Sequence, residues 1–164
     1  MIPLLIAALM FRGHAEAGSV KPYLGSATDF MEISQLFSRY NTAVDNGDGG
    51  AWASTFTPDG VFEDAQRCVV GHRALEALVG SKPMPGRDTE RFHMQSLGPI
   101  VYTARNAASV RSTILVVEAA RPEVAPRNWV TAVAVDTLKR VKGQWLIARR
   151  VVYKGSQAAA GACA

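Results

Sequence analysis

The chain has 164 residues, 48% of them hydrophobic and 20% charged, which excludes a wholly disordered polymer and fits one ordinary domain with or without a tail. Eighteen Lys and Arg against fourteen Asp and Glu leave a net charge of +4, a mild surplus that marks no nucleic-acid face unless the cations cluster. Collagen-like, coiled-coil and disulfide-scaffold readings fall away as well, because no suitable repeat, heptad run or cysteine density is present.

Residues 1–11 read MIPLLIAALMF, too short to cross a bilayer as a helix. Ala15-Glu16-Ala17 has the small-x-small form of a signal-peptidase site, although no Lys or Arg precedes the apolar run. Residues 1–17 are therefore expected to be a signal peptide, giving an exported protein in the periplasm or outside the cell. The alternative is an N-terminal helix packed on the domain or on a neighbouring subunit, in a cytoplasmic protein. Residues 18–27 read as a linker with Pro22, Gly25 and Ser26 as breakers.

Asp29 is read as the cap of the first helix, with Glu32 completing a capping-box pattern. Phe30, Ile33, Leu36, Phe37, Tyr40 and Val44 recur at helical spacing and predict one apolar stripe. Asp45-Asn46-Gly47 is turn chemistry and ends the helix. Asp48 caps a short second helix carrying Ala51, Trp52 and Phe56. Thr57-Pro58-Asp59-Gly60 signals a type I turn, followed by a short strand over 61–65 and a third helix over 71–79.

Beyond Arg91 the character changes. Segments 91–104, 109–119, 129–140 and 144–154 are rich in Val, Ile, Thr and aromatics and predict long strands, the last two joined by a hairpin at Arg140-Val141-Lys142-Gly143. Trp129, Thr131, Val133, Val135 and Thr137 are expected on one face of their strand, and Trp145, Ile147, Arg149, Val151 and Tyr153 on one face of the next. Helices first and a meander of strands afterwards means an α+β fold with a strongly curved antiparallel sheet. The folded domain is placed at 28–154, with a flexible tail over 155–164. Cys68 and Cys163 are the only cysteines; a bridge between them would need that tail to dock and is not expected. No Cys/His ligand spacing exists, because His14, His72 and His93 are scattered, so no metal is expected.

Four side-chain types carry candidate chemistry. Asp45 lies off the centre of the apolar stripe, at the rim of whatever the stripe covers. A carboxylate there meets the negative end of the helix dipole, and desolvation acts in the same direction; both suit a general base. An aspartate in an Asp-Asn-Gly turn also needs no chemistry. His93 opens the first long strand on the face opposite Phe92 and Met94. An imidazole turned to a pocket moves protons near neutral pH, and a carboxylate partner would fix its tautomer; the bland alternative is a half-exposed strand-end histidine. Tyr40, five residues before Asp45, can reach the same cavity or be a core aromatic. Arg149 and Arg150 alternate faces, so one points inward or toward a partner, and an inward arginine needs a counter-charge. The basic residues Lys139, Arg140, Lys142, Arg149, Arg150 and Lys154 straddle a hairpin and read as a solvated edge rather than a nucleic-acid stripe.

In this order Tyr40 to Asp48 (YNTAVDNGD), Phe56 to Phe62 (FTPDGVF), Gly71 to Leu75 (GHRAL), Arg91-Phe92-His93 and Gly143 to Ile147 (GQWLI) resemble the SnoaL-like branch of the NTF2-like superfamily. The resemblance covers roughly 29–154. It implies a cone in which a curved sheet wraps about three helices around a mostly apolar pocket. The Asp45/His93 combination resembles the aspartate–histidine dyad of the scytalone dehydratase, hexachlorocyclohexane dehydrochlorinase and bile-acid dehydratase group. Tyr40 resembles the tyrosine of the bile-acid enzymes, and Arg150 falls where a pocket arginine occurs in the dehydrochlorinase. Phe62 falls where an aromatic lines that cavity. The second histidine of scytalone dehydratase and the further acid of the bile-acid enzymes have no match around 112–117.

The resemblance thus implies a cofactor-independent lyase or isomerase acting on a small apolar molecule. His93, Asp45, Tyr40 and Arg150 would be its catalytic residues, and Phe62, Trp52 and Phe37 would bind the substrate. The alternative is a non-catalytic small-molecule-binding or assembly module of the same fold. Expected partners are the small molecule and further copies of the chain, as a homodimer or higher homo-oligomer, with no nucleic acid, membrane span or cofactor.

Overall fold

A computed structural model describes residues 23–80, 89–120, 125, 127–155 and 163; the expected signal peptide lies outside them. The first helix, α1 (Ala27–Asp45), starts at Ser26 rather than Asp29. The Asp29 backbone N–H donates to Ser26 Oγ at 3.1 Å, and the Asp29 carboxylate accepts the Ser26 N–H at 2.9 Å. Asp29 therefore takes the far end of the capping box, freeing its second oxygen for longer-range work. That carboxylate also accepts Tyr23 Oη–H at 2.7 Å, Trp145 Nε1–H at 3.1 Å and Arg140. Ile33, Leu36, Phe37 and Tyr40 bury as the stripe predicts, whereas Val44 is only partly buried and its neighbour Ala43 is buried instead. Phe30 does not: it is 58% exposed, because Asp29 occupies the inward position of the first turn.

The Asp29 network makes the fold acid-sensitive. Burial alone would raise the Asp29 carboxyl, but hydrogen bonds from Tyr23, Ser26 and Trp145 hold it well below the usual carboxylate range. Burial likewise opposes ionisation of Asp64, yet hydrogen bonds from Arg67 and the Gln66 N–H, with the charges of Arg67 and Lys154, bring it down to about 2. Groups lowered on folding stabilise the native state above their unfolded value, and that contribution disappears as pH falls through the folded one. The denaturation midpoint is therefore expected to drop between about pH 4 and pH 2, and Asp29→Asn should be less stable at neutral pH with a shallower acid decline. Urea titrations across this range check it; a midpoint that stays level to about pH 2 contradicts it.

Asp48 caps α2 (Gly49–Ala53) as expected, its carboxylate accepting the Ala51 N–H at 2.9 Å. The next segment differs from expectation. Strand β1 runs Phe56–Glu63, so Phe56 leaves the helix and the Thr-Pro-Asp-Gly signal sits inside a strand. The local chemistry persists as a distortion: the Thr57 hydroxyl donates to Asp59 at 2.8 Å, and the strand register breaks between Phe56 and Val61. A Cβ on Gly60 would lie 2.7 Å from Phe56 Cβ, so only glycine passes there. A turn signal was thus absorbed as a bulge. A short strand β2 (Cys68–Val70) and helix α3 (His72–Val79) follow. The long strands are β3 (Thr89–Ala104), β4 (Ala107–Ala120), β5 (Arg127–Val141) and β6 (Gln144–Lys154).

The six strands form one curved, open sheet in the order β2-β1-β6-β5-β4-β3. All neighbouring pairs are antiparallel except β1 and β6, which run parallel. The architecture is α+β, a mixed sheet around three helices. Lys142 (φ 50) and Gly143 (φ 84) make the two-residue β5–β6 hairpin with both dihedrals positive, the turn whose twist matches its strands.

A second bulge decides the interior of β6. Thr137 pairs with Arg149 but Leu138 pairs with Ile147, so Ala148 is supernumerary. Trp145 and Ile147 point inward before it; after it Arg150 and Val152 are buried while Arg149 turns out. The expected single face for Trp145 through Tyr153 is therefore broken in the middle, because one extra residue exchanges the two faces. The bulge also settles which arginine enters the core.

Cys68 and Cys163 form a disulfide with Cα atoms 5.1 Å apart and a sequence separation of 95, correcting the expectation that they stay apart. β2 lies two strand spacings from β6, about 10 Å, so the short tail reaches it. On the chain-entropy account, closing so long a loop stabilises the fold by about 4–5 kcal/mol. Of the expected flexible tail, residues 156–162 and 164 lie outside the described residues.

Candidate functional site

The end of α1 meets the start of β3. His93 Nδ1 stands 2.6 Å from Asp45 Oδ1, and the His93 backbone N–H donates to both Asp45 oxygens at 3.1 Å. Three contacts to one carboxylate fix both its position and the ring's. An ionised carboxylate only accepts, so in the neutral form of the ring Nδ1 carries the hydrogen and Nε2 presents its lone pair. The pair keeps contact with solvent: 23% of the His93 side chain and 19% of Asp45 is exposed.

Deeper in the cone, Tyr40, Trp52, Phe62 and Arg150 form one cluster, with Phe37 at its border. The Arg150 guanidinium lies 4.0 Å from the Tyr40 ring centroid and 5.4 Å from that of Phe37. Trp52 packs 5.4 Å from Tyr40 and 5.7 Å from Phe62. Six residues of the expected site therefore divide between an open pair, His93 with Asp45, and a closed group around Tyr40. Tyr40 and Asp45 share α1, separated by about 7.5 Å along its axis. Phe37, the remaining one, borders the closed group through Arg150.

Asp136 on β5 supplies the counter-charge that an inward arginine requires. It pairs directly with Arg150 across β5–β6, with Arg150 Nε 3.1 Å from Asp136 Oδ1 and both side chains 0% exposed. Burial raises the Asp136 carboxyl against the pull of Arg150. Burial also raises the Tyr40 phenol, opposed by the Arg150 charge, so the phenol stays a neutral hydrogen-bond donor. Asp136 went unnamed in the sequence because its pairing depends on the β5–β6 register, although its spacing of fourteen from Arg150 across a hairpin was a usable signal.

Among the described residues, the buried Gln95 Oε1 has no hydrogen-bond partner. Such an atom costs about 1–3 kcal/mol when left unpaired, and native folds keep few without a use. No group of three His, Cys, Asp or Glu suited to a metal occurs among the described residues. Likewise, no helix among them is long and apolar enough to cross a membrane.

Solved structures share this fold. ActVI-ORFA from Streptomyces coelicolor superposes with a TM-score of 0.71 at 20% identity, over 79% of this chain and 99% of that one. A protein from Catenulispora acidiphila, solved in complex with S-DNPA, gives 0.65 at 26% identity, over 79% and 95% of the two chains. An NTF2-like protein with a cystatin-like fold from Novosphingobium aromaticivorans gives 0.66 at 22%, over 83% and 88%. No curated protein sequence matches the chain. The model of the SnoaL-like domain matches residues 25–151. With most of its length matched and its sheet wrapped about three helices, the chain belongs to the SnoaL-like domain family of the NTF2-like superfamily.

Proposed function

We propose that this protein is a cofactor-independent lyase or isomerase that removes a proton from a small, largely apolar molecule. The observation that carries the reading is the 2.6 Å contact between Asp45 Oδ1 and His93 Nδ1, which leaves Nε2 free as the base. His93 takes the proton beside an activating group, and Asp45 holds the ring and stabilises the imidazolium that forms. Tyr40, as a neutral phenol, and Arg150 stabilise the oxygen anion that develops. Trp52, Phe62 and Phe37 supply the wall that binds the substrate. The S-DNPA bound to the Catenulispora protein supports small-molecule occupancy of such a cone. The sealed Arg150–Asp136 pair favours a second reading, a binding module whose deep polar cluster is packing alone.

Nitrobenzisoxazole tests the first reading without the natural substrate, because a base removes its ring C–H as the N–O bond opens to a coloured phenolate. Turnover above background that depends on His93 and Asp45 is expected. In the same proposal the protein is a homodimer or higher homo-oligomer through the outer sheet face, where Phe92 and Met94 stand exposed; the Trp129 side chain is outside the described residues. The disulfide supports the exported assignment, since such bonds persist in oxidising compartments.

A further inference from the structure

Gln95 follows His93 by two residues on β3, so the two side chains share the inner face about 7 Å apart. Its amide is tethered: Nε2 donates to Ser112 Oγ on β4 at 2.9 Å. The other end, Oε1, is buried and has no donor among the described residues. The sheet positions paired around it offer none. Gln95 stands opposite Ile114, which stands opposite Ala132, and Ser112 stands opposite Ala134, so this part of the sheet floor is aliphatic. An aligned acceptor among hydrocarbon, one ring's width from the base, is what a substrate hydroxyl or N–H would complete.

We propose that Gln95 is a specificity-determining residue whose Oε1 accepts a hydrogen bond from a hydroxyl of the substrate beside His93, so that the ligand is a hydroxylated ring compound rather than a hydrocarbon or halocarbon. The inference rests on the proposed site, and it refines the apolar substrate expected there. The hydroxyl so held is a recognition group and not the leaving group. An acceptor that draws on its proton makes that oxygen richer in electrons and a poorer leaving group. Ser112 is a positioning residue that keeps the amide from rotating.

The test compares β-naphthol with β-methylnaphthalene, equal in shape and differing by one donor, through quenching of tryptophan fluorescence in the full-length protein. The quantity read is the ratio of the two affinities, which cancels ring burial common to both. Gln95→Met is expected to lower the naphthol preference about tenfold while leaving methylnaphthalene affinity within about threefold. Ser112→Ala, which frees the amide with little loss of volume, is expected to lower the ratio in the same direction and serves if Gln95→Met fails to fold. An unchanged ratio in the folded variants, or no binding of either probe to the unaltered protein, overturns the proposal. Because affinity is read rather than turnover, a loss of the ratio stands even if the proton-transfer reading fails.

Discussion

His93→Ala is expected to lower turnover of nitrobenzisoxazole by at least about 10²-fold, and Asp45→Asn by about 10²–10⁴-fold. The two losses have different causes. Alanine removes the base itself. Asparagine keeps the shape but can turn its amide N–H toward Nδ1, which moves the ring hydrogen to Nε2 and leaves no lone pair where the substrate sits. It also removes the negative charge that stabilises the imidazolium. Neither change should unfold the protein, since about a fifth of each side chain already meets solvent and no sealed cavity is opened. The double variant should be little worse than the poorer single one, because both residues act through the same proton. Stopped-assay rates with matched circular dichroism check this, and unchanged turnover in both folded variants would remove the mechanism.

The second large effect is on stability. Asp136→Ala leaves Arg150 buried with no anion, and breaking a sealed pair in this way costs about 3–5 kcal/mol. For a domain of this size that corresponds to a fall in Tm of roughly 8–15 °C. The faces of Tyr40 and Phe37 retain some of the cation's stabilisation, so the loss should sit at the lower end. Removing both charges together, as Asp136→Leu with Arg150→Met, should recover most of it, because well-packed apolar side chains replace such pairs at little cost. Guanidinium denaturation of the unaltered protein, Asp136→Ala and the double variant measures the loss and its recovery. A single variant that loses under about 1 kcal/mol would show that solvent reaches the pair.

The fate of these residues in the sequence reading follows the range of the interactions that place them. Asp45 and His93 were legible because each is positioned locally, one by the end of a strongly periodic helix and one by strand alternation. The long strands and the Lys142-Gly143 hairpin were legible for the same reason. What required register was not. Arg150 could be separated from Arg149 only by resemblance, since the bulge at Ala148 that turns it inward arises from pairing with Thr137 and Leu138. Asp136 was missed with it. Gln95 was invisible as a site because its meaning lies in what Oε1 lacks, which depends on Ser112 and Ile114 arriving from another strand.

Local signals also misled where a stronger local partner stood nearby. Asp29 looked like a cap and is the far half of one, because Ser26 precedes it by the spacing a capping box needs. The Thr57–Gly60 turn chemistry formed, but the strands on either side held it in line as a bulge. The disulfide escaped for a topological reason: only the sheet order reveals that β2 and the end of β6 lie two strands apart.

The most direct test of the whole account is the tautomer of His93, read by long-range proton–nitrogen NMR at a pH where the ring is neutral. Hydrogen on Nδ1 and a bare Nε2 are the result expected from the Asp45 contact, with the pattern lost in Asp45→Asn. A hydrogen on Nε2 in the unaltered protein would mean that no base faces the cone, and the proton-transfer function would be wrong.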